Sequence, residues 1–405
     1  MNLGNLFSTN ITTTQNQPVT VHSLVSGLFG KTSAAGTEVT LATAEAHTTV
    51  MSCYRVLAES VASMPIHLMK REIEDGKVYE IKAYEHKLYN ILSRRPNDEM
   101  SQYSWIESQM MNIVSRGNAF TQIIRNNKNE VIALYPLLSD NMTIVRSDSG
   151  KLGYKYNSSN YGDVWLEKEE IVHVVGLSYD GINGLSPIQY SANSIGLSLA
   201  MEEFASNFFA NGANPGAVYE IDTQLSDEAY ERLRMSLKEK YEGLKQSGKP
   251  MLLEEGLKFK PITISNNDSQ FLESRKFQKS EIASIFRVPP HLINDLERAT
   301  FTNIEQQSLE FATYTLTPWV KRFEQALNSA LFRDDQTYHV HFNMDGLVRG
   351  DIKTRYEAHG KAIRDGWLTR NEVRKREGYN PLDGLDDPII PLNMTTDLKE
   401  ENAKN

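Results

Sequence analysis

Residues 270–311, QFLESRKFQKSEIASIFRVPPHLINDLERATFTNIEQQSLEF, hold the reading that decides the fold. Helical spacing runs to Arg287, Val288-Pro289-Pro290 stops it, a polar tip follows, and a second long helical pattern starts at Thr302. Proline has no N–H to donate and drives the preceding residue out of the α region, so two in succession cannot lie inside a helix. The consequence is a loop fixed between two rods, with Asp295, Glu297 and Arg298 near its tip. Neither a nucleophile nor a set of metal ligands accompanies it, so the loop reads as mechanical rather than catalytic. The bland alternative is a tip charged only for solubility.

With 405 residues the chain has room for two or three domains, and its 40% hydrophobic content suits a globular protein with a sizeable core. The one cysteine, Cys53, excludes an internal disulfide framework, fits a reducing compartment and lies in an apolar helical pattern, as a core residue does. Neither a secretory leader nor an apolar window long enough to cross a bilayer is read, so no membrane partner is expected. The 52 acidic and 43 basic residues leave a net charge of −9. Tight duplex binding draws on a basic patch to neutralise phosphates, and none stands out. A surface along which DNA only slides does not require one.

Outward from the loop, the spacing predicts a polar arm over 1–41, one helix over 42–64, and strands from Ile66 that turn at Asp75-Gly76. A short helix over 86–92 and a helix capped by Ser101 and ending near Arg116 follow. Strands are read at 119–125, 131–137, 142–146, 152–156 and 171–175. Ser186-Pro187 is a cap and first-turn pair that opens a rod reaching Asn211. Its many small residues suit close packing against neighbouring rods, or burial within one large monomer. Between this rod and the next lies an insertion with strands at 217–221, 251–253 and 257–264 and an amphipathic helix capped by Ser226. A helix over 302–332, kinked at Pro318, leads to a strand over 338–342, a helical pair at 351–365 and 369–377, and an extended tail.

Candidate chemistry is sparse. His339 and His341 share one face of a strand with Asp345 nearby, which raises a metal-dependent nuclease or hydrolase as the alternative. A metal site needs three or four convergent ligands, and no further cluster is evident, so a plain structural strand is the stronger reading. His173 and His291 read as isolated surface or interface histidines. The chain has neither a phosphate loop nor a nucleophile elbow, so no cofactor and no enzymatic activity are expected.

Six stretches stand out in order along the chain: VLAESVASMP at 56–65, RGNAF at 116–120, GLSPI at 184–188, FFANGA at 208–213, QFLESR at 270–275 and IASIFRVPPHLI at 282–293. In these words and in their order the chain resembles the portal proteins of the Hong Kong lambdoid-type tailed bacteriophages. The resemblance implies an α+β subunit that assembles as a homo-oligomeric ring, usually a dodecamer, at one vertex of the virion after assembly in the host cytoplasm. Double-stranded DNA would pass through it during packaging and ejection. By the same resemblance, 1–41 is a flexible arm, 42–185 with 302–348 a wing, 186–211 and 268–287 a stem, and 212–267 a clip. Residues 288–301 are a tunnel loop, 349–380 a crown and 381–405 a flexible tail. The DNA-facing residues implied are Asn294, Asp295, Leu296, Glu297, Arg298, Ala299 and Thr300. The clip would meet the terminase large subunit and a head-completion adaptor through Arg232, Arg234, Lys238, Glu239 and Lys245, and a major capsid or scaffold protein would surround the ring.

Overall fold

The computed structural model describes residues 31–74, 77–147, 149–159, 161–210, 217–220, 226–241, 258–261, 267–295, 301–344, 352–377 and 379–389. A short hairpin, β1 (Lys31–Thr32) and β2 (Glu38–Val39), precedes α1 (Leu41–Ala46) and α2 (Thr48–Ala62). Then come β3 (Ile66–Glu74), β4 (Lys77–Lys82), α3 (Lys87–Ser93), α4 (Gln102–Arg116), β5 (Asn118–Arg125) and β6 (Val131–Leu137). β7 (Met142–Arg146), β8 (Leu152–Ser158), β9 (Gly162–Glu167) and β10 (Ile171–Val175) complete the strand-rich part. The helical part holds α5 (Pro187–Tyr190), α6 (Ala192–Ala210), β11 (Ala217–Glu220), α7 (Asp227–Tyr241), β12 (Lys258–Pro261) and α8 (Asn267–Ile285). α9 (Phe301–Glu310) passes through a π-helical stretch, Phe311–Leu316, into α10 (Thr317–Leu331). β13 (Tyr338–Phe342), α11 (Ile352–Arg364) and α12 (Arg370–Arg376) close the described chain.

Helix α2 is the centre of the core. Its Val50, Cys53, Tyr54, Leu57, Ala58, Val61 and Ala62 are all buried, which takes in more than one face of the helix. Burying a Val or Leu side chain contributes roughly 1.5–3 kcal/mol, so this helix alone anchors a large share of the core. One continuous apolar cluster joins it to Trp105, Ile113 and Val114 of α4, to Ile282 and Phe286 at the end of α8, and to Val320 and Phe323 of α10. The Cys53 thiol, sealed in this core, is pushed up to about 12 by burial and is no reactive group.

Three antiparallel three-stranded sheets flank the helices, in the orders β10-β5-β6, β13-β3-β4 and β7-β8-β9. The β13 pairing sets Val340 opposite Leu68 and Phe342 opposite Ile66, closing the C-terminal part of the chain onto its beginning. A second apolar cluster, with Phe120, Ile144, Tyr154 and Ile171, seats the β7–β9 sheet on β5 and β10.

Several expectations are corrected. The helix read over 42–64 is broken at His47, whose Nδ1 accepts the Thr49 N–H and caps α2. The rod from Ser186 is interrupted at Ser191, and Ser186 makes no side-chain cap; its hydroxyl instead donates to the Ser115 carbonyl at 2.6 Å. The arm is not featureless throughout. Residues 31–39 form the β1–β2 hairpin, which lies on α6: the Ala34 N–H donates to Asn193 Oδ1, and Ser33 fills the space a side chain at Gly196 would need. The described first part of the tail, 379–389, is tied down too, because buried Asn371 bonds to the Leu382 backbone and to Asp386. Strand β9 was not foreseen. Just before Pro318, where a kink is expected, the helix widens into the π-helical stretch, in which the Thr317 N–H reaches back to the Ala312 carbonyl. Widening the turn relieves the clash that a proline ring makes with the preceding turn. Residues 75–76 and 251–253 lie outside the described residues.

The tightest passage of backbone past backbone lies where α4 ends. Gly117 takes φ +81°, and a Cβ there would stand 2.5 Å from the Leu185 carbonyl oxygen. A Cβ at Gly184 would collide with the Gly117 carbonyl oxygen. Asn118 fastens the crossing: its Oδ1 accepts the Gly184 N–H at 2.9 Å and its amide donates to the Gly184 carbonyl. Gly184→Ala is therefore expected to lower stability by at least about 3 kcal/mol. Gly360→Ala, in α11 with open space around it, should instead add about 0.5–1 kcal/mol. Urea denaturation of both variants checks the pair, and similar effects at the two sites would contradict the crossing argument.

Candidate functional site

The site is the base of the Pro-Pro loop. Helix α8 ends in a Schellman turn: the Val288 N–H donates to the Ala283 carbonyl and the Arg287 N–H to the Ser284 carbonyl. The left-handed position of such a turn is normally glycine, yet here Arg287 holds φ +54°. An L-residue pays about 1–2 kcal/mol for that conformation. Pro289 and Pro290 then lead into a 3-10 turn, Pro290–Ile293, which Asn294 closes at φ +62°. Two left-handed residues thus bracket the base.

Four attachments hold this base. The Thr315 hydroxyl, delivered by the π-helical stretch, donates to the Arg287 carbonyl at 2.9 Å. Val288 and Ile293 are buried. Phe286 meets Tyr54 of α2 edge-on, centroids 5.3 Å apart. His291 Nδ1 lies 2.9 Å from Gln307 Oε1, tying the 3-10 turn to α9, and the Asp295 N–H donates to the Pro290 carbonyl. His291 is therefore a fastener between loop base and helix rather than an isolated group. Of the residues read as facing DNA, Asn294 and Asp295 stand at this base, while Leu296, Glu297, Arg298, Ala299 and Thr300 lie outside the described residues. The sequence pointed to the proline stop but not to Arg287 or Thr315. Arginine carries no signal for a positive φ, and the reach of Thr315 depends on the π turn.

The residues assigned to the insertion are placed only in part. Arg232 and Arg234 are exposed on α7, and Arg234 pairs with Glu231. Lys238 and Glu239 lie in α7, with side chains outside the described set, and Lys245 is outside it altogether.

The two strand histidines do not converge on a common point. His339 Nε2 lies 3.7 Å from Glu80, while His341 Nδ1 lies 3.2 Å from Glu324. Among the described residues no group of three or more metal-ligating side chains occurs, and Asp345 falls outside them. Glu324 is already committed to structure: its oxygens accept the Phe342 N–H at 3.0 Å and the Lys321 ammonium at 2.6 Å. Burial alone would raise this carboxyl, but His341, Lys321 and the Phe342 N–H together bring it down to about 2. His173 is likewise not isolated, but half-buried and tied on both ring nitrogens. Its Nε2 lies 2.9 Å from Asn118 Oδ1, its Nδ1 3.3 Å from the Tyr154 hydroxyl, and its ring stacks on Phe120. Burial pushes it down to about 3, so it is neutral. Nothing in these arrangements activates a water or a nucleophile.

The family profile described as Phage portal protein matches residues 48–378. The chain belongs to the phage portal protein family. The portal protein of Enterobacteria phage HK97 is 33% identical over 349 residues, spanning 84% of this chain and 80% of that one. A probable portal protein of Streptomyces phage phiC31 is 32% identical over 384 residues, spanning 90% and 82%. Among solved structures, a chain in the neck of an empty gene transfer agent particle with C6 symmetry superposes with TM-score 0.59 at 25% identity, over 82% of this chain and 90% of that one. The sequence words of the resemblance meet in the structure: RGNAF and GLSPI form the glycine crossing, and IASIFRVPPHLI forms the loop base.

Two measurements test the site. Thr315→Val, nearly isosteric, leaves the Arg287 carbonyl without its donor and should cost about 1–2 kcal/mol; an unchanged urea midpoint would remove Thr315 from the account. Glu324 titrates near 4.5 when unfolded and near 2 when folded, so its contribution is complete above pH 4.5 and is lost as pH falls through 2. Glu324→Gln should cost about 2–3 kcal/mol at pH 7, with the deficit shrinking between pH 4.5 and 2. A deficit independent of pH would contradict the assignment.

Proposed function

We propose that the chain is the subunit of a ring-shaped channel at one vertex of a phage head, through which double-stranded DNA is packaged and ejected. The match of the portal family over residues 48–378 is the observation that carries this reading. The C6 symmetry of the structurally similar neck supports a ring, and twelve subunits satisfy a six-fold axis as two per sector. The two rods support it as well. Leu197 and Phe204 on α6 and Phe277 on α8 are exposed, apolar surface that a neighbouring copy would cover.

In this reading α6 and α8 are the stem, and the insertion between them, with exposed Arg232 and Arg234 on α7, is the clip that meets terminase large subunit and head-completion adaptor. The loop from Asn294 to Thr300 lines the tunnel. Its mixed charge gives duplex phosphates nothing to grip, in keeping with the chain's net charge of −9. A major capsid or scaffold protein surrounds the ring in the virion, and assembly takes place in the host cytoplasm. The chain does no chemistry of its own; partners supply the force.

Negative-stain images and native mass spectra of the purified chain should show rings of about twelve subunits, and particles that remain monomeric with all partners present would sink the reading. Deleting residues 294–300 should leave ring formation intact while packaged DNA falls by tenfold or more in a packaging assay. Undiminished packaging and retention would take the loop out of the mechanism.

A further inference from the structure

We infer that a cleft beneath the loop base receives a carboxylate side chain from a second copy of this chain, an inference that rests on the ring reading above. The cleft lies between α2, α4, α5, the end of α8 and the start of α10, and has a volume of about 140 Å³. Leu57, Val114, Leu177, Phe286 and Pro318 wall it with apolar surface. An apolar cavity of about 150 Å³ is large enough to hold benzene, so this one accepts a single side chain and little more.

Two guanidinium-bearing residues line the same cleft. Arg322 is half-buried; its guanidinium stacks 5.1 Å above the Trp319 ring and makes one long bond, 3.4 Å, to the Pro318 carbonyl. Arg287 adds a second positive charge to the lining, next to Tyr190. Among the described residues neither arginine has a carboxylate in reach. The contrast with other half-buried arginines is sharp. Arg116 holds Asp140 at 2.6 Å and Glu45 at 3.3 Å, and Arg355 holds Glu377 at 2.7 Å. Hydrogen bonding to Asp140 raises Arg116, whereas burial, and then the charge of Arg287, lowers Arg322. A partly desolvated cation beside a like charge is a cost to the isolated chain, and a carboxylate between the two would reverse it.

Strain at Arg287 adds an independent argument. Glycine would fill the left-handed position without penalty, yet the chain places there an exposed arginine that is among the residues lining this cleft. As to the occupant, two cations call for an anion, and a chain with 52 acidic against 43 basic residues has carboxylates in excess to offer one between copies. A phosphate of duplex DNA is fixed on a wide, rigid rod, poorly suited to a cleft of about 140 Å³. A carboxylate on a methylene stem is better suited, and its stem would lie along the apolar walls.

The test uses Arg322→Lys, which keeps the charge and supplies a primary amine. Rings assembled from ¹⁵N-labelled and unlabelled Arg322→Lys chains are treated with a water-soluble carbodiimide, which joins an amine to a carboxylate in contact with it, and digested for mass spectrometry. The expected product is a peptide pair joined from the introduced lysine to an Asp or Glu, with mixed isotopes. If Arg322→Lys does not assemble, Arg287→Lys is used in the same way and with the same expectation. Rings in which the introduced lysine stays unjoined, or is joined only within one isotope, overturn the inference and leave the ring reading standing. So does an introduced lysine that is protected from acetylation only after duplex DNA is added. A wild-type chain that never forms rings overturns both.

Discussion

The carbonyl oxygen of Gly117 occupies the space that any side chain at residue 184 would need, and the rest of the arrangement depends on that close passage. It brings the end of α4, the start of β5 and the entry to α5 to one point. Asn118 then serves several strands at once, accepting the Gly184 N–H and lying 2.9 Å from His173 Nε2. The Ser186 hydroxyl adds a bond to the Ser115 carbonyl, and the Gly176 N–H adds one to Gly117. The chain therefore leaves the strand-rich part at a set place, so α6 starts from a fixed origin.

The loop base is fixed from the other side by the same core. Phe286, the last buried residue before the turn, rests on Tyr54 of α2, and α2 packs against α4, which ends at the crossing. A left-handed Arg287 costs about 1–2 kcal/mol. Burial of Val288 and Ile293, worth roughly 1.5–3 kcal/mol each, offsets it, and the Thr315 bond adds about 1 kcal/mol.

What the sequence disclosed follows from the range of the forces involved. The proline stop, the Ser101 cap, the strands from 119 to 146 and the helical pair near the C-terminus all rest on local chemistry, and each stands where the spacing put it. The misreadings involve partners far along the chain. Ser186 looked like a cap because its neighbour is proline, but its hydroxyl is taken by Ser115, 71 residues away. His173 looked isolated because Asn118 and Tyr154 are distant in sequence. At Gly196 the small residues of α6 also admit the chain's own β1–β2 hairpin, a partner far away in sequence. At the loop, the stop was legible but the strained arginine was not, because nothing in an arginine announces a left-handed backbone.

The same distinction settles the constellation that most resembles chemistry. His47 Nε2 stands 2.8 Å from Ser198 Oγ and 3.5 Å from Glu202, a grouping of the kind that activates a nucleophile. Its other nitrogen, however, accepts the Thr49 N–H, so the proton of the neutral ring sits on Nε2. Burial, outweighing the Glu202 charge, pushes the imidazole down and keeps it neutral. An Nε2 that already carries its proton donates to Ser198 and cannot take one from it. The grouping is thus a tie between the first turn of α2 and the middle of α6, with Arg275 of α8 reaching the same Glu202 at 3.6 Å. Residues that would make a catalyst in another setting here fasten a rod to the core, which is what a subunit with a mechanical task requires.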